Sequence, residues 1–339
     1  LLDAVQGEGH PLPRARHVGV MTVDLGLAHS DLAAARLDHE LIARPDASAP
    51  AGAGDHGAGT RQAEDAVHRQ PEGTALDAGV QGLVVLGSNG ENPYLTDGEK
   101  RQLIDITVDQ AGGRVPVIAG TGCTGTDATI ALTRHARDAG AAAALVALPQ
   151  YFKVGLEDVK RHFSRLTQEA GLPILYYNFP KVTGLELTPA EIAELAKIPG
   201  MVGVKQTIFD LEAIAELAKL TEDSPFSVLS GTTLNLTALV PRGIRGAIGV
   251  LPNLMPRESV ALYAALRDGD EEKASELMAS ISKLTKILAA SPIAHAMLKE
   301  AMRQMGHPIE ATVKDPLPPL TTEQGQLVAE VLADAKLTA

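Results

Sequence analysis

The chain has 339 residues, of which 45% are hydrophobic, enough for one large α/β core, and a formal net charge of -12. That charge, with no basic patch, excludes a general nucleic-acid surface, and the single Cys123 excludes an intrachain disulfide framework and fits a reducing cytosol. No stretch has the apolar length of a membrane-spanning helix and no signal-peptide pattern opens the chain, so a soluble, cytoplasmic protein is expected.

Residues 1–75 stand apart. They contain no Lys, Asn, Phe, Tyr or Trp, yet hold His10, His17, His29, His39, His56 and His68. These histidines lack metal-ligand spacing and read as solvated. Pro45 to Gly59 is mostly Ala, Gly, Pro and Asp, which bury too little surface to offset the entropy of ordering. Residues 1–75 are therefore expected to be an atypical segment, partly disordered; apart from Trp, the absent types have AT-rich codons, which also fits translation out of frame. Val18–Leu25 is the candidate strand of this region and Asp31–Ala43 its candidate helix.

From Ala75 the pattern becomes regular. Gln81–Leu86, Val115–Ala119, Ala143–Leu148, Pro173–Asn178, Met201–Lys205, Phe226–Leu229 and Ala247–Val250 read as short strands buried on both faces. Between them, Asp97–Ala111, Asp127–Ala139, Leu156–Ala170, Pro189–Ala196, Leu211–Leu220 and Thr233–Val240 read as amphipathic helices. Thr126 and Thr188, the latter followed by Pro189, are the expected N-caps. Strict alternation of strand and helix implies right-handed βαβ units and a parallel sheet. With a first strand drawn from residues 18–25, these elements fit a (β/α)8 TIM barrel over residues 76–268. A doubly wound open sheet is the competitor, but no GxGxxG follows an early strand. Gly120-Thr121-Gly122-Cys123-Thr124-Gly125 lacks the Lys-Ser/Thr of a P-loop and reads as a tight turn. Arg257–Leu266, Glu271–Leu288, Ile293–Met305 and Thr322–Ala335 complete the chain as helices, residues 269–339 forming a C-terminal helical extension.

Several strands end in useful chemistry, and an active site at the carboxyl ends of the strands follows from the barrel. Gly87-Ser88-Asn89-Gly90-Glu91 ends the first clear strand, where glycines admit close backbone approach and Ser88 and Asn89 can hold a carboxylate. Tyr176 and Tyr177 end the fourth in a chain poor in aromatics. Met201-Val202-Gly203-Val204 runs straight into Lys205. A lysine there points into the mouth of the barrel, where desolvation disfavours the ammonium and leaves a nucleophilic amine suited to a Schiff base. The alternative is a lysine reaching past the strand end to water.

Three motifs in this order, Gly-Ser-Asn-Gly-Glu (87–91), Tyr-Asn-Phe-Pro-Lys-Val-Thr-Gly (177–184) and Gly-Val-Lys-Gln-Thr (203–207), resemble the dihydrodipicolinate synthase / N-acetylneuraminate lyase family. The resemblance runs from about Gly79 to the C-terminus. It implies a barrel with a helical extension, assembled as a homotetramer (a dimer of dimers), and chemistry without metal or organic cofactor. It implies that Lys205 forms an imine with pyruvate or another 2-oxo acid, and that Tyr177 transfers the proton. Ser88 would hydrogen-bond Tyr177 in a relay completed by Tyr151 of a neighbouring subunit. Ser88 and Asn89 would bind the substrate carboxylate, Ile248 would offer a backbone carbonyl, and Thr207 stands where some aldolase branches carry a small hydroxyl residue. The synthase of this family normally has an arginine where this chain has Val182. That difference, with Gly-Ser-Asn-Gly-Glu, points to the branch cleaving 4-hydroxy-2-oxoglutarate or 2-keto-3-deoxy sugar acids. The synthase, and a deoxy-sugar-acid dehydratase using the same imine, are the alternatives.

Overall fold

Eight short parallel strands follow one another around a closed barrel. The computed structural model describes the backbone of Val20–Leu25 together with residues 75–149, 151–307 and 309–337. The strands are β1 (Val20–Leu25), β2 (Gly82–Val85), β3 (Val117–Gly120), β4 (Ala143–Ala147), β5 (Ile174–Asn178), β6 (Met201–Gln206), β7 (Ser227–Ser230) and β8 (Gly246–Gly249). The ring closes where β1 pairs with β8, in the register Thr22 to Ile248. β1 falls within the 18–25 stretch; the expectations for the rest of residues 1–74, including the helix at Asp31–Ala43, lie outside the described residues.

The outer layer is α1 (Asp97–Ala111), α2 (Thr126–Ala139), α3 (Leu156–Ala170), α4 (Pro189–Leu195) and α5 (Leu211–Leu220). Beyond the barrel strands lie α6 (Pro256–Asp268), α7 (Glu271–Ser282), α8 (Thr285–Ala289), α9 (His295–Gln304) and α10 (Thr322–Ala335). Among the described residues no helix is long and apolar enough to cross a membrane.

Three local expectations are corrected. Thr126 is the first residue of α2, with Gly125 at the N-cap, and its hydroxyl lies 2.9 Å from His162 Nδ1 on α3 instead. Thr188 does cap α4, exchanging hydrogen bonds with Glu191. The expected helix at Thr233–Val240 is a run of single turns, Thr233–Asn235, Leu236–Leu239 and Val240–Arg242, because Pro241 has no N–H to continue it. The expected helix at Glu271–Leu288 breaks between Ser282 and Thr285.

Side chains alternate across a strand, so each of β2–β8 presents one set to the lumen and the other to the helices. Val84, Ile118, Leu145, Leu175, Tyr177, Leu229 and Ile248 face the lumen and pack on one another. Their neighbours Leu83, Val85, Val117, Val146, Tyr176, Val204 and Val228 face the helices and join a second, larger core. A third core, built from Leu254, Leu262, Ile281, Leu284, Met297 and Val331, joins α6–α10 to the end of the barrel.

One ion pair ties the segment before α10 to the first barrel helix. Glu99 closes a capping box with Thr96 at the start of α1 and accepts a hydrogen bond from Lys314 Nζ at 2.7 Å. Burial alone would raise the Glu99 carboxyl, but hydrogen bonds from Lys314 and Thr96 outweigh it and hold the group at about 2, below its ordinary 4.5. A depressed carboxyl stabilises the fold fully above its ordinary value and loses that contribution as pH falls through the depressed one. Glu99→Gln should therefore be less stable than the wild type at pH 7, with the gap closing as pH falls below 4.5 toward 2. Urea titrations at pH 7 and pH 3 check this, and a gap that does not narrow would contradict it.

Candidate active site

Parallel pairing sets Tyr177 of β5 directly opposite Lys205 of β6. Both residues occupy lumen-facing positions, so their side chains meet inside the barrel near the carboxyl ends of the strands. Lys205 is 3% exposed, and its Nζ stands 4.2 Å from the centroid of the Tyr177 ring. Among the described residues no carboxylate pairs with it. A buried amine lying on a π face, without a counter-ion, is in the environment that suits a nucleophile better than a structural cation.

Tyr177 is 8% exposed, and its hydroxyl lies 2.9 Å from Ser88 Oγ, reached from β2 across the lumen. Its neighbour Tyr176 points the other way. Tyr176 is packed edge-on against Phe163, its hydroxyl donates to Asn178 Oδ1 at 3.0 Å, and burial pushes its ionisation upward. Asn178 Nδ2 in turn donates to Gln206 Oε1 at 2.7 Å, so the outward faces of β5 and β6 are locked together behind the site. Of the two adjacent tyrosines, Tyr176 is the satisfied core residue.

Thr207 follows Lys205 by two positions, and its backbone N–H donates to Asn178 O at 2.9 Å. Its Oγ1 is buried with no hydrogen-bond partner among the described residues. It fits only because residue 231 is glycine: a Cβ there would fall 2.1 Å from Thr207 Oγ1 and 2.8 Å from Gln206 O. Ile248 is fully buried, with its side chain in the same lumen cluster as Tyr177. Asn89 is half-buried beside Ser88. Tyr151 is 82% exposed after β4 and packs edge-on with Phe152 at 4.9 Å, outside the Lys205–Tyr177–Ser88 group. Val182 is 49% exposed in the single turn Pro180–Thr183 that follows β5, with Lys181 exposed beside it.

The loop carrying Ser88 is held by residues that sequence reasoning did not single out. Asn92 Nδ2 donates to the carbonyls of Leu86 (2.8 Å) and Gly120 (3.0 Å). Glu91 pairs with Lys299 of α9 at 2.5 Å, both nearly fully buried, and its other oxygen accepts the Lys314 backbone N–H. His295 of α9 reaches the Ser88 carbonyl. Only the Glu of Gly-Ser-Asn-Gly-Glu signalled any of this, as a charge inside an otherwise small-residue turn. A groove of about 820 Å³ lies at the opposite end of the barrel, by the starts of β7 and β8; its lining of Glu212, Glu216, Lys219, Arg242 and Arg245 is a solvated charged surface. Among the described residues no cluster of His, Cys, Asp and Glu is arranged to hold a metal.

The fold is a (β/α)8 barrel, a class whose enzymes carry their active sites at the carboxyl ends of the strands, where Lys205, Tyr177 and Ser88 meet. The chain belongs to the dihydrodipicolinate synthetase family, whose sequence profile matches residues 63–335. It is 35% identical over 258 residues to the 4-hydroxy-tetrahydrodipicolinate synthase of Methanospirillum hungatei, covering 76% of this chain and 87% of that one. The enzyme of the same name from Xanthomonas axonopodis pv. citri is 38% identical over 263 residues, covering 77% and 85%. Among solved structures, the Escherichia coli prophage protein YagE, a member of the same family crystallised with pyruvate, matches with a TM-score of 0.75 at 33% identity, over 78% of this chain and 89% of its own. Dihydrodipicolinate synthase from Thermotoga maritima gives 0.76 at 27% identity over 95% and 99%. The motif resemblance and the comparisons thus agree on the family.

The Thr207–Gly231 contact yields a stability test. Removing an unpartnered buried hydroxyl should be nearly neutral or stabilising, whereas forcing a Cβ into a filled site typically costs about 1–3 kcal/mol. Thr207→Val, which removes the hydroxyl and keeps the shape, is therefore expected to keep or raise Tm, and Gly231→Ala to lower it. A large loss of stability in Thr207→Val would mean that the hydroxyl is structural.

Proposed function

We propose that the enzyme joins or cleaves the C3–C4 bond of a 4-hydroxy-2-oxo acid through an imine between Lys205 and pyruvate. The observation that carries this is the Tyr177 hydroxyl, 2.9 Å from Ser88 Oγ, on a ring that lies 4.2 Å from the Lys205 amine. The Lys205 amine adds to the 2-oxo carbon and water leaves, giving a protonated imine. In the cleavage direction, Tyr177 takes the proton of the C4 hydroxyl, the C3–C4 electron pair flows into the imine as an enamine, and an aldehyde departs. Protonation of the enamine at C3 and hydrolysis return pyruvate and the free lysine. Condensation is the reverse sequence, with the same groups carrying the same proton.

Ser88 and Asn89 hold the pyruvate carboxylate in this reading, and Ser88 passes protons to and from Tyr177. Thr207 offers its unpartnered hydroxyl to the C4 oxygen, and Ile248 offers a backbone carbonyl. Tyr151 serves the site of a neighbouring subunit in a homotetramer; a tyrosine 82% exposed beside Phe152 at 76% supports burial against a second copy. The pyruvate bound to YagE supports the choice of 2-oxo acid.

For the aldehyde partner, the names of the relatives weigh toward 4-hydroxy-tetrahydrodipicolinate synthase, and so toward condensation with aspartate semialdehyde. That supports the synthase over the 4-hydroxy-2-oxoglutarate or 2-keto-3-deoxy sugar-acid aldolase favoured by the motifs alone. Val182 is the observation that favours the aldolase, because an apolar side chain cannot grip the second carboxylate. Loss of one charge-assisted contact is worth on the order of 2–4 kcal/mol, or roughly 30- to 1000-fold in kcat/KM.

The test is kcat/KM for pyruvate with aspartate semialdehyde, set beside cleavage of 4-hydroxy-2-oxoglutarate and 2-keto-3-deoxygluconate, in the wild type and Val182→Arg. On the synthase reading the wild type condenses the semialdehyde fastest and Val182→Arg adds little, whereas on the aldolase reading Val182→Arg raises semialdehyde condensation at least about 30-fold and depresses cleavage. If the wild type already condenses the semialdehyde fastest and Val182→Arg adds nothing, another cation fills the role, and Lys181→Ala should then abolish the preference. No turnover of any of these substrates would contradict the proposal.

A further inference from the structure

His295 opens α9 in the C-terminal part of the chain, yet its Nε2 lies 2.9 Å from the carbonyl oxygen of Ser88. A carbonyl oxygen only accepts, so Nε2 carries the hydrogen. The same oxygen also receives the Glu91 N–H at 3.1 Å, which fills both of its acceptor directions. The Ser88 carbonyl and the Asn89 N–H are the two ends of one planar peptide unit. Holding the oxygen fixes the direction of the N–H, and a donor on the oxygen polarises that N–H toward an anion. From this we infer that His295 is a positioning residue, orienting and polarising the Ser88–Asn89 peptide and so setting the affinity of the loop for the substrate carboxylate. The inference rests on the reading that this loop binds pyruvate.

The loop needs such support. Leu86 (φ 61) and Glu91 (φ 55) sit on either side of Ser88 and Asn89 in the left-handed region, which is unfavourable for side chains of this size and persists only when surroundings enforce it. Asn92 and the Glu91–Lys299 pair secure its two ends. His295 is placed differently: it acts on the peptide between the two carboxylate-binding residues, one helical turn before Lys299 on the same face of α9. Its Nδ1 is buried and has no partner among the described residues, so the visible work of the imidazole is the contact to Ser88.

Exchange of the pyruvate methyl protons with deuterated solvent, followed by NMR, reads imine and enamine formation without a second substrate. His295→Gln keeps an amide N–H at the reach of Nε2, whereas the amide of His295→Asn reaches only as far as Nδ1; both are polar, so they differ in geometry more than in solvation. His295→Asn is expected to raise the half-saturating pyruvate concentration roughly 3- to 10-fold, with the maximal exchange rate changed by less than about two-fold, and His295→Gln to restore most of the affinity. Equal saturation in all three proteins would overturn the inference, as would a lowered maximal rate with unchanged half-saturation. Failure of the wild type to exchange at all would instead overturn the imine reading beneath it.

Discussion

The site depends on a register. β5 and β6 pair so that Tyr177 and Lys205 are direct partners, and the two-residue period of a strand sends both side chains into the lumen. A one-residue slip of β5 would bring Tyr176 inward in place of Tyr177, and one of β6 would bring Val204 inward and turn the amine out among the helices. The outward side of the same pair guards against that slip. Tyr176, Asn178 and Gln206 form a buried hydrogen-bonded chain across the two strands, and a shift would leave those polar groups unpaired among apolar side chains. A structural network on one face thus enforces a chemical arrangement on the other.

Much of the barrel was legible because its signals are local. Apolar runs such as Ala143–Leu148 and capping residues such as Thr188 mark element type from adjacent residues, and seven strands were located within a residue or two. Where local signals compete, the reading missed. Thr233–Val240 carries helical periodicity, but Pro241 and the return to β8 reduce it to single turns. Thr126 has the chemistry of an N-cap, yet its hydroxyl is taken by His162 on the next helix, an interaction invisible along the chain.

The same division runs through the site. Lys205, Tyr177 and Ser88 could be named because each ends a strand, and barrels present strand ends to one mouth. Most of their supports could not, because they come from far away. His295 lies 207 residues from Ser88, and Lys314 lies 223 residues from Glu91. The C-terminal helices have no chemistry of their own in this picture. They hold a strained turn in the shape that aligns Ser88 with Tyr177, which links the third core of the fold to the geometry of the site.

The central claim is that the Lys205 amine is the group that bonds to substrate. It is tested most directly by incubating the protein with pyruvate and borohydride and mapping the adduct by peptide mass. The account predicts one reduced pyruvyl group per chain, located on Lys205 and absent from a folded Lys205→Ala variant. An adduct on another lysine, or none on the folded wild type, would contradict it.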